Sequence, residues 1–240
     1  MVERIVSAVH PSHNDTLVEI GPGLGALTAP LLERVDRLHV VEIDRDIVAT
    51  LRQQFAADRL AIHQGDALEF DFAALGPDIR VVGNLPYNIS TPILFHLTTQ
   101  AHAVKDAHIM LQREVVERMA AERDSAAYGR LSVMLQYRWD IEPLFDVSPS
   151  AFRPQPKVWS SVVRMTPYRV LPHPCRDEGV FAEVVALAFG QRRKTLRNAL
   201  RTRINDVEIA SLGVDPGARG ETLGVADFVR LADYLSAERC

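Results

Sequence analysis

Four consecutive residues, Asn84-Leu85-Pro86-Tyr87, follow the apolar run Ile79-Arg80-Val81-Val82-Gly83. Their types suit a flat, amino-bearing ring. An Asn side chain carries one carbonyl acceptor and one NH2 donor group. Pro86 fixes its own φ and biases Leu85 toward extended geometry, which turns the Leu85 carbonyl outward. Tyr87 adds an aromatic face for stacking. The set fits the exocyclic amine of a nucleobase, although an ordinary strand-to-helix turn uses the same residue types.

A second constellation lies upstream. Glu19-Ile20-Gly21-Pro22-Gly23-Leu24-Gly25 joins a short apolar strand to a helix, and its glycines let a backbone approach a ligand closely. The dinucleotide fingerprint is G-x-G-x-x-G, whereas this loop reads G-x-G-x-G with a glutamate two residues before it. Glu42 ends the next strand, where an acid binds ribose hydroxyls in several nucleotide-binding folds. At this point a nicotinamide dinucleotide remains open. Asp66, in Gly65-Asp66-Ala67, shifts the balance, because a carboxylate there can accept from an adenine amino group.

The elements that must position these residues alternate. Strands are expected at 16–20, 38–44, 60–64 and 79–83, with helices over 26–35 and 45–55. Residues 1–10 read as the end of a helix. Such alternation means βαβ units and a parallel, doubly wound sheet, whose carboxyl edge would carry all four polar stations. Further on, 92–99 and 112–122 look helical, while 108–111, 131–135 and 160–165 look like strands. Pro167, Pro172 and Pro174 mark a linker, and beyond it only helices are expected, over 180–189, 193–203 and 227–237.

Composition narrows the class. The chain has 240 residues, 47% hydrophobic and 24% charged, which suits a globular core and leaves room for one large domain plus a small appendix. No apolar run reaches the ~18 residues of a membrane span. Cys175 and Cys240 make neither a disulfide framework nor a metal knuckle, so a reducing cytoplasm is expected, and the eight histidines lack paired-ligand spacing. The net charge of −4 argues weakly against nucleic acid. Its distribution argues the other way, since Arg192, Arg193, Lys194, Arg197, Arg201 and Arg203 cluster without an acid among them.

The chain resembles a known family, the bacterial small-subunit (16S) rRNA adenine N6,N6-dimethyltransferases of the KsgA type. The resemblance rests on the stretches above, on Glu42-Ile43-Asp44-Arg45-Asp46 and on Gly83-Asn84-Leu85-Pro86-Tyr87-Asn88-Ile89-Ser90. It extends through Leu111-Gln112-Arg113-Glu114-Val115, Tyr128-Gly129-Arg130-Leu131-Ser132 and Ser150-Ala151-Phe152-Arg153-Pro154-Gln155-Pro156-Lys157. Its most C-terminal stretch runs from Phe189-Gly190-Gln191 through Arg192-Arg193-Lys194 to Asn198.

The resemblance implies an α/β fold, with a Rossmann-like class I S-adenosylmethionine-dependent methyltransferase domain over 1–168. A small all-helical rRNA-binding domain would fill 169–240. The implied reaction moves four methyl groups to N6 of two adjacent adenosines in the 3′-terminal stem-loop of 16S rRNA during 30S biogenesis. Asn84, Leu85, Pro86 and Tyr87 would hold the target base, with Phe152 on its other face. Glu19, Gly21, Gly23, Gly25, Glu42, Ile43, Asp66, Ala67 and Asn84 would hold the cofactor. Arg113, Arg153, Lys157, Arg192, Arg193, Lys194 and Arg197 would meet rRNA. The partner is the small ribosomal subunit, with no metal and no membrane, and the protein is expected to act as a cytoplasmic monomer.

One departure matters. Family members begin earlier, with a basic segment containing a Phe-Gly-Gln-x-Phe-Leu-like motif that closes over the methionine end of the cofactor. This chain opens at Met1-Val2-Glu3, and a form without that lid is expected to bind cofactor more weakly. One alternative is therefore an assembly factor that binds the 30S subunit with little methyl transfer. A separate one is a large-subunit rRNA adenine N6-methyltransferase, against which the C-terminal basic stretch argues. NAD-dependent oxidoreduction is disfavoured by Asn84–Tyr87.

Overall fold

The computed structural model describes residues 1–86, 88–191 and 194–237. They form two compact units. The first comprises 1–116 and 139–169, the second 117–138 and the residues from 170 onward.

The first unit begins with helix α1 (Val2–Val9), followed by β1 (Leu17–Ile20), α2 (Thr28–Leu32), β2 (Leu38–Glu42), α3 (Arg45–Gln54) and β3 (Leu60–Gln64). After these come β4 (Ile79–Asn84), α4 (Ser90–Thr99), β5 (Val104–Gln112) and α5 (Arg113–Met119), whose last turn passes into the second unit. There α6 (Arg130–Gln136) follows, before the chain returns to the sheet as β6 (Trp139–Val147) and β7 (Ser160–Pro167). The second unit is completed by α7 (Glu178–Phe189), α8 (Leu196–Ala199), α9 (Asp206–Ser211) and α10 (Val225–Ala237).

The sheet runs β3-β2-β1-β4-β5-β7-β6, with β1 to β5 parallel and β7 antiparallel to both neighbours. From β1 the chain winds outward through β2 to β3, then restarts at β4 on the other side. Strand order therefore reverses between β1 and β4, the place where open α/β sheets leave a crevice at their carboxyl ends. All four residues of β1 are buried, as expected of a strand covered on both faces. The core around it draws on Ile5 and Val9 of α1, Leu31 of α2, Leu51 of α3 and Val162 of β7.

Arg80 of β4 ties this core to the chain's start. Its guanidinium donates to the carbonyls of Val9 and His10, at the C-terminus of α1, and to Asp15 and Asp106. A cation there satisfies carbonyls that the helix cannot.

Several expected elements are corrected. Residues 131–135 are helix, not strand, because Leu131, Ser132, Val133 and Leu135 are all buried and the Ser132 hydroxyl donates to the Arg118 carbonyl. The helix expected over 26–35 is confined to Thr28–Leu32, with Pro30 in its first turn, where no N–H is needed. Of 193–203, only Leu196–Ala199 is helical among the described residues. β6 and α9 were not anticipated.

The second unit is also not cut from the first at a single point. Tyr128, Val133 and Tyr137 share one apolar cluster with Phe181, Leu196 and Phe228, which draws 117–138 into it. The Tyr128 hydroxyl donates to the Leu223 carbonyl at 2.8 Å.

Candidate active site

The register aligns the polar stations in one row. Glu42 stands opposite Gln64, Val41 opposite Ile20, Ile20 opposite Gly83, and Asn84 opposite Met110. The residues that leave β3, β2, β1 and β4 thus emerge together at the carboxyl edge, on both sides of the β1/β4 crevice.

On the β1 side, Gly21, Gly23 and Gly25 all have left-handed φ, at 65°, 54° and 86°. A Cβ on Gly21 or Gly23 would meet nothing within 4 Å, so open space lies above the loop. At Gly25 a Cβ would sit 3.1 Å from the Phe55 ring, which packs against the loop from α3's end. The Gly21 N–H donates to the Val41 carbonyl, so the loop is hung from β2.

Two carboxyl groups are buried near the ends of the strands that lead to this edge. Glu19 is 2% exposed and accepts from the Thr28 hydroxyl at 2.6 Å. Burial pushes its carboxyl up to about 7; the Thr28 bond opposes this and the charge of Glu42 adds to it. Glu42 is also buried, and its Oε1 accepts from the Asp44 N–H at 2.9 Å. Asp44 caps α3 by accepting from the Asp46 and Ile47 N–H groups. Between these polar groups Ile43 is 64% exposed, a large apolar side chain left in the open at the edge. Asp66 uses Oδ1 for the Leu68 N–H, and the adjacent Ala67 is buried.

On the β4 side the approach of two strands decides the residue. A Cβ on Gly83 would lie 2.8 Å from the Ile20 carbonyl oxygen, so only glycine lets β1 and β4 pair this closely before the crevice opens. Asn84 ends β4 with its side chain exposed, while Leu85 is buried and donates its N–H to the Met110 carbonyl. No donor among the described residues reaches the Leu85 carbonyl, and the Pro86 carbonyl accepts from Ile89. Among the described residues, two acceptors, the Asn84 side-chain oxygen and the Leu85 carbonyl, are therefore left open at one strand end. Tyr87, expected to stack on the base, lies outside the described residues.

Phe152 follows a turn over Pro149–Ala151 and is half-buried against the core that includes Val147 and Val162. Arg153 and Lys157 are exposed in the same loop. Arg113 begins α5, donates its backbone N–H to the Trp159 carbonyl and pairs with Asp146 at 3.6 Å. Lys194 and Arg197 belong to the second unit, where Arg197 pairs with Asp206 at 3.4 Å. Arg192 and Arg193 lie outside the described residues. The basic residues are thus drawn from both units, whereas every described cofactor-loop residue sits on one edge of the first.

Two contributors were missed from sequence. Thr28 holds the Glu19 carboxyl, and the signal available was a hydroxyl in the first turn of the helix after the glycine loop. Trp159, 49% exposed at the entry to β7, follows Lys157 and Val158 and was not singled out.

The donor set fits an adenosyl sulfonium. A buried acid at the end of β2 suits a ribose diol, exposed Ile43 a flat base and Asp66 an amino group. Open space at Gly21 and Gly23 admits the chain that links them.

A sequence profile of the ribosomal RNA adenine dimethylase family matches residues 1–237. The ribosomal RNA small subunit methyltransferase A of Aromatoleum aromaticum is 57% identical over 99% of this chain and 90% of its own length. That of Thiobacillus denitrificans is 57% identical over 98% and 92%. Among solved structures, a dimethyladenosine transferase from Plasmodium falciparum aligns with a TM-score of 0.84 at 22% identity, covering 99% of this chain and 96% of that one. The 23S rRNA methyltransferase ErmE aligns with a TM-score of 0.76, also at 22%, over 98% and 96%. These two likenesses are likenesses of fold.

Proposed function

The chain belongs to the ribosomal RNA adenine dimethylase family, and from that premise we propose that its β1/β4 crevice dimethylates N6 of adenosines in small-subunit rRNA. It is a Rossmann-like class I methyltransferase and depends on S-adenosylmethionine. The observation that carries the chemistry is the pair of acceptors left open among the described residues at the end of β4, the Asn84 side-chain oxygen and the Leu85 carbonyl.

When bound, S-adenosylmethionine supplies a methyl group on a sulfonium, a leaving group already activated. Glu42 takes the ribose, Ile43 and Ala67 border the adenine, Asp66 accepts from its amino group, and Gly21, Gly23 and Gly25 admit the backbone-hugging part. Glu19 lies behind the loop, its carboxyl held by Thr28.

The target adenine amine is a poor nucleophile because its lone pair is delocalised into the ring. Asn84 and the Leu85 carbonyl accept its two N–H bonds and favour a pyramidal nitrogen. The same fixed dipoles oppose the positive charge that develops there. Pro86 holds the carbonyl's direction, and Tyr87 and Phe152 take the two faces of an extruded base. An amide neither takes nor gives a proton, so the proton departs to solvent. After one transfer a single N–H remains, and either acceptor can hold it while the methyl group occupies the other side.

Arg113, Arg153, Lys157, Arg192, Arg193, Lys194 and Arg197 meet rRNA phosphates in this reading, and the protein works as a monomer in the bacterial cytoplasm. The small-subunit name of the 57% identical relatives favours that subunit over the large one.

The test is to incubate the 240-residue chain with labelled S-adenosylmethionine and undermethylated small subunits and map dimethyladenosine. Transfer is expected, and Asn84→Ala is expected to lower it ~10²–10³-fold while cofactor affinity stays within a few-fold. Subunit binding without transfer would support an assembly factor instead. Full activity in Asn84→Ala would sink the mechanism.

A further inference from the structure

A cavity of about 620 Å³ runs along β3. Its wall includes Leu60, Ile62 and His63 of β3, Phe55 at the end of α3, and two arginines, Arg37 and Arg52. β3 is the edge strand of the sheet, so its outer row of backbone groups has no strand partner.

The arginines around this strand divide by use. Arg59 donates to the carbonyls of Leu32, Val35 and Asp36, which pins the turn before β3 to the end of α2 and the start of β2. Arg37 and Arg52 have no ion-pair partner among the described residues. On a chain of net charge −4, two unpaired guanidinium groups on one groove make an uncompensated positive spot.

The floor is rigid. The Phe55 ring lies against Gly25. The His63 ring is stacked on His39 at 5.3 Å with an interplanar angle of 11°, its Nε2 sits 3.0 Å from His39 Nδ1, and Phe70 packs against it at 4.9 Å. Burial, and then the charge of Arg37, hold the His63 imidazole below its ordinary value, which places Arg37 within electrostatic reach of it.

We propose that this groove is a second RNA contact, in which Arg37 and Arg52 take a phosphodiester of the rRNA backbone and Phe55 and Ile62 carry the adjoining sugar or base. A guanidinium fork matches a phosphate bidentately, and its planar face tolerates the neighbouring aromatic ring. A peptide added along β3 would use the strand's backbone but would reach the guanidinium groups only where an acidic side chain happened to fall in register, whereas a phosphodiester is repeated at every residue of a nucleic acid. A nucleic-acid backbone satisfies them and rests its apolar parts on the floor.

This contact rests on the rRNA reading above but not on the transfer chemistry. The test compares the parent chain with Arg37→Gln/Arg52→Gln, and with a control, Arg169→Gln, whose arginine pairs with Asp78. Binding to undermethylated small subunits is measured across a salt series, together with cofactor affinity and methyl transfer at saturating subunit. The double variant is expected to bind about tenfold or more weakly, with a log–log salt slope shallower by about 1–2. Cofactor affinity and transfer at saturation should be unchanged. Both side chains are exposed or groove-lining, so folding is not at stake.

An unchanged affinity and slope would overturn the contact while leaving the methyltransferase reading intact. An equal loss in Arg169→Gln would overturn it too, as a general effect of charge. Adenosine monophosphate that binds the parent chain but not the double variant, and at saturation leaves subunit binding untouched, would overturn the contact and assign the groove to free nucleotides instead.

Discussion

Glu19→Gln tests the electrostatics of the cofactor loop most directly. In the cofactor-free protein the Glu19 carboxyl is buried, and its value rises from 4.5 to about 7. At ~1.4 kcal/mol per unit, ionising it in place is unfavourable by about 3 kcal/mol relative to ionising it in the unfolded chain. The native state therefore binds more protons than the unfolded state between 4.5 and about 7, and Glu19's contribution to stability falls as pH rises through that window. Glutamine resembles the protonated acid and still accepts from the Thr28 hydroxyl, so it escapes the penalty. Urea unfolding of parent and variant, without cofactor, at several pH values reads the difference. Near pH 4.5 the two should match; at about pH 8 the variant should be more stable by about 3 kcal/mol. A difference that stays flat with pH, or a variant less stable than the parent in alkali, would refute burial as the cause. Cofactor must be absent because its binding to the native state adds stability of its own.

Two further outcomes test the frame that carries the site. Gly83→Ala should destabilise the protein by ~1–3 kcal/mol in urea, since its Cβ would press on the Ile20 carbonyl and neither strand can retreat without losing its register. It should also lower methyl transfer, because Asn84 follows directly. Arg80→Met should be the harsher change, about 3–5 kcal/mol, as it takes the shared guanidinium from Asp15 and Asp106 and leaves Asp15 only Lys105 at 3.7 Å. Burial would raise both carboxyl groups, but hydrogen bonds from Arg80, preceded in strength at Asp106 by that from His108, hold them below their ordinary range. Stability present above about 4 is therefore lost as pH falls through the depressed values; the variant should lose the share of that acid transition due to Arg80.

The parts that could be read in sequence are local ones. The glycine loop, the acids at strand ends and the strand that runs into Asn84 are each carried by residues within a few positions of one another, and short-range geometry holds them. Elements failed where a neighbour far along the chain decides the outcome. Leu131, Val133 and Leu135 alternate as a strand would, yet they form a helix because partners surround it on several faces and erase the helical period. β6 hides behind Asp140, Glu142, Pro143 and Asp146, the composition of an edge strand. Its proline sits where the pairing with β7 shifts register.

Residue types and spacing alone suggested a nucleotide site beside a pocket for a flat, amino-bearing ring, because a carboxylate and an amide have their hydrogen-bonding capacity wherever they stand; methyl transfer itself came from the resemblance to a known family. Only the folded sheet could show that Gly83 must lack a side chain, that Thr28 reaches Glu19, and that Glu19 is dry enough to hold a proton near neutrality. It also placed Arg37 and Arg52 on one groove, with no ion-pair partner among the described residues. Each of those facts depends on the distance between groups that the chain itself keeps apart, and such distances exist only after strands β1 to β5 have paired and excluded water.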